Sequence, residues 1–205
     1  MFRPLLAASV LAALTLPPAA HAAGTRTHVS NAGSDANTSF SCDYAHPCRT
    51  FAAALTQTTP GGEILAIDSS GYGKVTIDRS VSIVAAPGVF AGIGVGSGTG
   101  ITISAPGADV VLRGLTLTGQ GGYHGISLLD GVRLSVENCV LRNFTLGSAI
   151  AIQATARVQI LDTLVQNGYN GVFLMPGANA NIVGVRILGN ANHGLYVGAG
   201  ATATL

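Results

Sequence analysis

Between residues 100 and 197 the chain repeats one short pattern five times: a small residue, an apolar one, a variable one and a second apolar one. The five copies are Gly100-Ile101-Thr102-Ile103, Gly125-Ile126-Ser127-Leu128, Ala149-Ile150-Ala151-Ile152, Gly171-Val172-Phe173-Leu174 and Gly194-Leu195-Tyr196-Val197. Their starts are 25, 24, 22 and 23 residues apart. A second column keeps step with the first. Leu112-Arg113-Gly114-Leu115-Thr116-Leu117 aligns with Val136 to Leu141, Ile160 to Val165 and Ile182 to Ile187. Its third position is Gly114, Asn138, Asp162 and Gly184, at intervals of 24, 24 and 22. Gly, Asn and Asp are the residues that tolerate a left-handed backbone, so the spacing predicts one tight corner per repeat. The period-2 alternation of strands, reset at that corner, sends the first, fourth and sixth positions inward.

Repeats of 20 to 25 residues with two or three short strands predict a β-solenoid. The Leu-x-x-Leu-x-Leu frame of leucine-rich repeats does not recur, and propeller blades need a longer unit. Less regular coils precede the clear ones, at Gly62 to Ile67, Val75 to Ile77, Val81 to Ile83 and Ile93 to Val95. The expected architecture is all-β: a parallel β-helix of roughly six coils, advancing about 4.8 Å each, over residues 62 to 205. Residues 24 to 61 form an N-terminal cap, in which Arg49 to Leu55 reads as a short amphipathic helix with Thr50 near its start. No comparable lid follows Ala201-Thr202-Ala203-Thr204-Leu205. Either the sequence is a piece of a longer protein, or a partner covers that end. If the chain ends there, poor solubility or end-to-end self-association is expected.

Residues 1 to 23 read as a secretory signal peptide. Arg3 begins it, an apolar run from Leu5 to Leu16 follows, and Ala20-His21-Ala22 offers the cleavage pattern. The run is too short to span a bilayer. A secreted or periplasmic protein starting near Gly24 is expected, with no membrane attachment after cleavage. Without Arg3, nine basic residues face nine acidic ones, a balance that steers the protein toward neither nucleic acid nor an anionic membrane. Charged residues make up 9% and apolar ones 48%, which excludes a disordered chain and implies a surface of Asn, Thr, Ser and Gly. Export permits oxidation, so Cys42 and Cys48 are expected to form a local disulfide; a metal pair would lack two further ligands. Cys139 falls under Leu115 and over Thr163 in the inward column and is expected as a buried free thiol.

The stretch Val29 to Asn37, then Pro47-Cys48-Arg49-Thr50-Phe51, then Pro60-Gly61-Gly62-Glu63-Ile64 and Gly71-Tyr72-Gly73, resembles the opening of secreted bacterial right-handed β-helix repeat proteins. These belong to the pectin-lyase-like superfamily. The resemblance covers essentially the whole chain after the signal peptide. It implies the right-handed fold, while the chemistry in that superfamily ranges from polysaccharide lyases and hydrolases to members without known activity.

The residues for such chemistry are sparse. A hydrolase needs two carboxylates on one surface, and Glu137 with Asp162 is the one candidate pair. The plainer reading places Asp162 in the corner column and Glu137 in an ion pair with Arg113. The paired-Asp and Asn-Thr-Asp motifs of polygalacturonases are absent. A lyase needs clustered acidic calcium ligands and a basic residue. Here Asp68, Asp78, Asp109, Asp130 and Asp162 fall in different columns, and Lys74 is the sole lysine. No cofactor is expected, and calcium is unsupported. His124 and His193 share a column with Ser148 and Asn170, three coils apart, and are expected as solvated loop residues. Asp35 is expected to stabilise a local turn rather than to touch calcium. Arg133 and Arg157 align one coil apart, between Asp109 and Asn179, and could grip the carboxylates of an acidic polysaccharide. The chain has no Trp to offer a sugar platform. These residues favour a noncatalytic exported β-helix, with extracellular or cell-surface polysaccharide as the expected ligand. The alternatives are a fragment of a pectate-lyase-like or polygalacturonase-like enzyme, and a structural or adhesin-type solenoid.

Overall fold

A computed structural model describes residues 24–205; the signal-peptide expectation lies outside the described residues. The chain winds as a right-handed solenoid of about six turns whose three walls are parallel sheets. Sheet I runs Gly24–Val29, Thr58–Ala66, Val81–Ala85, Asp109–Arg113, Arg133–Glu137, Arg157–Leu161, Asn179–Val183 and Thr202–Thr204. Sheet II runs Ser70–Gly71, Ala91–Val95, Leu115–Gly119, Val140–Arg142, Leu164–Gln166 and Arg186–Leu188. Sheet III runs Val75–Ile77, Thr99–Ser104, His124–Asp130, Ser148–Ile152, Asn170–Leu174 and His193–Val197. Each coil visits the sheets in that order.

The first corner, between sheets I and II, is the expected column. Gly114, Asn138, Asp162 and Gly184 have φ of 73°, 50°, 46° and 66°. That left-handed kink turns the backbone within one residue and resets which side chains face in. Leu112, Leu115 and Leu117 are buried in one coil, Val136, Cys139 and Leu141 in the next, and Ile160, Thr163 and Val165 after that. Full burial of each such aliphatic side chain contributes about 1.5–3 kcal/mol. The Thr163 hydroxyl is satisfied locally, donating to the Leu161 carbonyl and accepting the Cys139 N–H. A second corner column stands between sheets II and III at Asn143, Asn167 and Gly189, with φ of 65°, 55° and 61°.

The small residue that opens each sheet III repeat answers to crowding between rungs. A Cβ on Gly125 would lie 2.5 Å from the Ala149 carbonyl oxygen, and one on Gly171 would lie 2.3 Å from that of Gly194. Larger side chains would push the rungs apart.

The cap helix spans Phe51–Gln57, with Thr50 as its N-cap accepting the Ala53 N–H. Phe51, Ala54 and Leu55 are buried, and Phe51 packs against Tyr72 with ring centroids 5.1 Å apart. Asp35 does more than shape a local turn, which corrects the expectation. Its carboxylate accepts the N–H groups of Arg49 and Thr50 and the Thr50 hydroxyl, tying the helix start to a segment 14 residues away. The turn itself is made by Ser34, which caps the short 3-10 helix Asp35–Phe40. Cys42 and Cys48 are joined in a disulfide. The cap and the coils are one unit: Gly24–Val29 pairs with Thr58–Ala66, so the boundary expected at residue 61 falls inside a strand of sheet I. At the other end of the described residues, Val185, Ile187 and Leu195 are only half-buried, because no further rung lies over them.

Candidate functional site

Sheet III presents Thr76, Thr102, Ser127, Ala151, Phe173 and Tyr196 in one outward file, each in register with the next. The file changes from small to aromatic along the axis. At the change lies a hollow of about 280 Å³ with Ala151 among its lining residues. Ala151 faces outward, yet it is only 1% exposed because the surrounding side chains stand over it. Phe173 forms one wall and is backed by Tyr196, the rings stacked with centroids 4.3 Å apart and 7° between planes. Tyr123 and Tyr169 stand on one rim, 54% and 45% exposed. Gly147 occupies the rung between them, where a Cβ would lie 2.3 Å from the Tyr123 carbonyl oxygen. The two tyrosines are therefore two rungs apart, about 9.6 Å at the rung spacing, with no side chain on the glycine between them. Gln153 and Met175 line the hollow too, and the Gln153 amide donates to the Ser127 hydroxyl at 2.9 Å.

His124 lines this hollow as the first residue of its sheet III strand, half-buried and not a solvated loop residue. Its environment explains the difference: the Tyr123 ring packs edge-on against the imidazole, with centroids 4.5 Å apart. Nδ1 lies 3.0 Å from the Ser148 backbone nitrogen and 3.4 Å from the Ser148 carbonyl oxygen. The shorter contact makes Nδ1 the acceptor of the Ser148 N–H and leaves the ring proton on Nε2. Burial holds the imidazole below its usual pKa, against a smaller opposing effect of the Ser148 backbone. The same column continues through Ser148, Asn170 and His193, which are linked by weak polar contacts. His193 also opens a strand, but it is exposed.

The arginines lie on a different wall. Arg133 and Arg157 pair in register in sheet I, between Asp109 and Asn179, beside a hollow that also takes in Glu137 and Gln159. Arg133 is 3.7 Å from Asp109, and both are exposed. Solvent screening leaves such a pair about 0–1 kcal/mol.

Glu137 accepts from Arg113 Nε and from the Ser135 hydroxyl, each at 2.7 Å, so both carboxylate oxygens are engaged. Burial raises the Glu137 pKa, but the hydrogen bonds and charge of Arg113 and the Ser135 bond outweigh it and hold the carboxyl below the usual range. A carboxylate held ionised is a poor general acid. Asp162 sits at the corner, packed over Gly184, and the hollow that Glu137 borders does not include it. Cys139 is buried beneath the same corner, and desolvation lifts its thiol to about 11. Among the described residues, no group of three or more His, Cys, Asp or Glu is placed to hold a metal ion. No helix among them is long and apolar enough to cross a membrane.

The aromatic wall contains no Trp and is built from Tyr and Phe residues far apart in sequence. Tyr123, Tyr169 and Phe173 come to one hollow, with Tyr196 stacked behind Phe173, only once the coils are stacked. The available signal was the coil period: Tyr123 and Tyr169 are two repeats apart, and Phe173 and Tyr196 one.

A family model for the right-handed β-helix region matches residues 99–205, just over half of the chain. No curated protein and no solved structure matches it. With three parallel walls, one-residue corners at Gly114, Asn138, Asp162 and Gly184, and that match, the chain belongs to the right-handed β-helix family.

Proposed function

We propose that this β-helix is exported and binds polysaccharide, without cleaving it, along the outward face of sheet III. The observation that carries the reading is the hollow at Ala151, walled by Phe173 and Tyr169 with amide and imidazole groups at its edge. Aromatic rings offer flat apolar faces to the C–H faces of sugars, while Gln153 and His124 can bond hydroxyl groups. An extended polymer suits a solenoid wall, because successive rungs set their outward side chains in files that run along the axis. The engagement of both Glu137 oxygens favours binding over hydrolysis. The leader-like residues 1 to 23 and the Cys42–Cys48 disulfide support export.

Electrophoresis of the protein through gels containing dissolved polysaccharides tests the reading. Retardation by at least one polymer, with no new reducing ends or unsaturated products after long incubation, is the expected result. Release of cleaved products would overturn the noncatalytic part, and free migration in every gel would overturn binding.

A further inference from the structure

We propose that the sheet III hollow takes an uncharged glycan, its sugar rings lying against Tyr169 and Phe173 and its hydroxyl groups bonded by Gln153 and His124. This rests on the polysaccharide reading above and narrows it, departing from the acidic polymer that the arginines suggested.

Charge placement carries the inference. The six strands of sheet III contain one Asp and no Glu, Lys or Arg. That residue is Asp130, whose sign repels an anion. The hollow itself is lined by no Asp, Glu, Lys or Arg. Among the described residues the arginines stand elsewhere: Arg26, Arg113, Arg133 and Arg157 are in sheet I, Arg142 and Arg186 in sheet II, and Arg49 and Arg79 outside the strands. A uronate entering the hollow would lose water from its carboxylate and meet no cation, so its desolvation would go uncompensated. A neutral sugar carries no such penalty.

The polar groups at the rim match hydroxyls rather than carboxylates. With Nδ1 engaged by Ser148, His124 keeps an Nε2–H to donate. Gln153 is exposed, and its Ser127 bond uses one amide hydrogen. Its carbonyl oxygen and second N–H remain to accept from and donate to neighbouring hydroxyls, a pairing that a carboxylate, which only accepts, cannot complete.

The test is affinity electrophoresis in two gel sets. One contains galactomannan, xyloglucan or mixed-linkage β-glucan, and the other contains polygalacturonate or alginate. The variants are Tyr169→Ala, Phe173→Ala, Gln153→Ala and the double change Arg133→Ala/Arg157→Ala, with folding of each checked by circular dichroism. The expected result is retardation by at least one neutral polymer that persists in high salt. Affinity should fall about threefold to tenfold when Tyr169 or Phe173 loses its ring, and should be unchanged in the double arginine variant. Gln153 is exposed at the rim, so its variant reports on the site even if an aromatic variant fails to fold. Retardation by acidic polymers alone, removed by salt or by the arginine changes, would overturn the inference and leave polysaccharide binding standing. Neutral binding indifferent to Tyr169, Phe173 and Gln153 would overturn the placement. No retardation in either set would bring down both readings.

Discussion

Phe173 and Tyr196 occupy the same outward position on successive rungs of sheet III, and their rings stack nearly parallel at 4.3 Å. They are 23 residues apart in sequence, so the contact exists only because the coil period brings them into register. Tyr196 is 36% exposed and His193 meets its ring edge-on, with centroids 5.4 Å apart. A double-mutant cycle of Phe173→Ala and Tyr196→Ala, followed by urea unfolding, should give a coupling energy of about 0.5–1 kcal/mol, the lower part of the range for aromatic pairs because the stack is partly wet. Strict additivity would mean that the rings only share a surface.

The left-handed corner supplies a sharper test. Asn138 holds φ of 50°, a region that costs a side chain with a Cβ about 1–2 kcal/mol. Asn138→Gly should leave the protein as stable or more so, while Asn138→Val should lose about 1–3 kcal/mol. Gly184→Ala adds a collision to the corner, because its Cβ would lie 2.3 Å from the Asp162 Oδ1. Thermal melts of the three variants check the order. Equal melting temperatures for Asn138→Gly and Asn138→Val would sink the corner assignment.

Gly114, Asn138, Asp162 and Gly184 were legible in the sequence because a steric rule acts on the residue at that position itself: few side chains tolerate positive φ. Asn143, Asn167 and Gly189 obey the same rule at intervals of 24 and 22. They were as readable, and an aligned third column would have revealed the second corner. The hollow at Ala151 is of another kind. Tyr123 and Tyr169 share a rim position with Gly147 between them, and a column that alternates aromatic and glycine shows no shared residue type to find. His124 was misplaced for a similar reason. Its burial comes from Tyr123 and from the adjoining coil, neither of which enters a pattern of single-strand alternation.

The three cysteines should report the cap and the core separately. Cys42 and Cys48 are bonded and fully buried, while Cys139 is free, buried and has its thiol pushed up to about 11. Intact protein should therefore give no reaction with a thiol reagent near neutral pH, one thiol after unfolding, and three after unfolding with reduction. Opening the short Cys42–Cys48 loop should cost about 2 kcal/mol by chain entropy, read as a lower midpoint in urea for the Cys42→Ser/Cys48→Ser pair. A thiol that reacts rapidly in the folded state would place Cys139 outside the core.

Asp68 closes the cap against the first coil, accepting from the Ser30 hydroxyl, the Asn31 N–H and the Tyr72 hydroxyl. Burial raises its pKa, but these three bonds and the nearby Arg49 charge outweigh that and hold it below the usual carboxylate value. The folded state binds its proton less readily than the unfolded chain. Its contribution is therefore fully present above the ordinary Asp value of 3.8 and is lost as pH falls through the lower folded value. Asp68→Asn should reduce stability at neutral pH and flatten the decline on acidification. An unchanged acid slope in that variant would assign the decline to other carboxylates.

His124 titrates with the opposite chemistry but the same sign. Its neutral ring accepts the Ser148 N–H, and a proton on Nδ1 would set donor against donor. Burial lowers its pKa, so the unfolded chain takes up the proton first as pH falls. The contribution of the neutral ring is complete above the ordinary imidazole value of 6.5 and declines as pH drops through the folded value beneath it. His124→Asn separates this effect from simple loss of a side chain, because the amide oxygen can accept the same N–H and does not titrate. Melting temperatures measured from slightly alkaline to moderately acidic pH should show a shallower acid decline in the Asn variant, with little difference on the alkaline side. If both proteins follow the same curve, the folded state does not hold His124 neutral below its ordinary pKa, and burial is not shifting its titration.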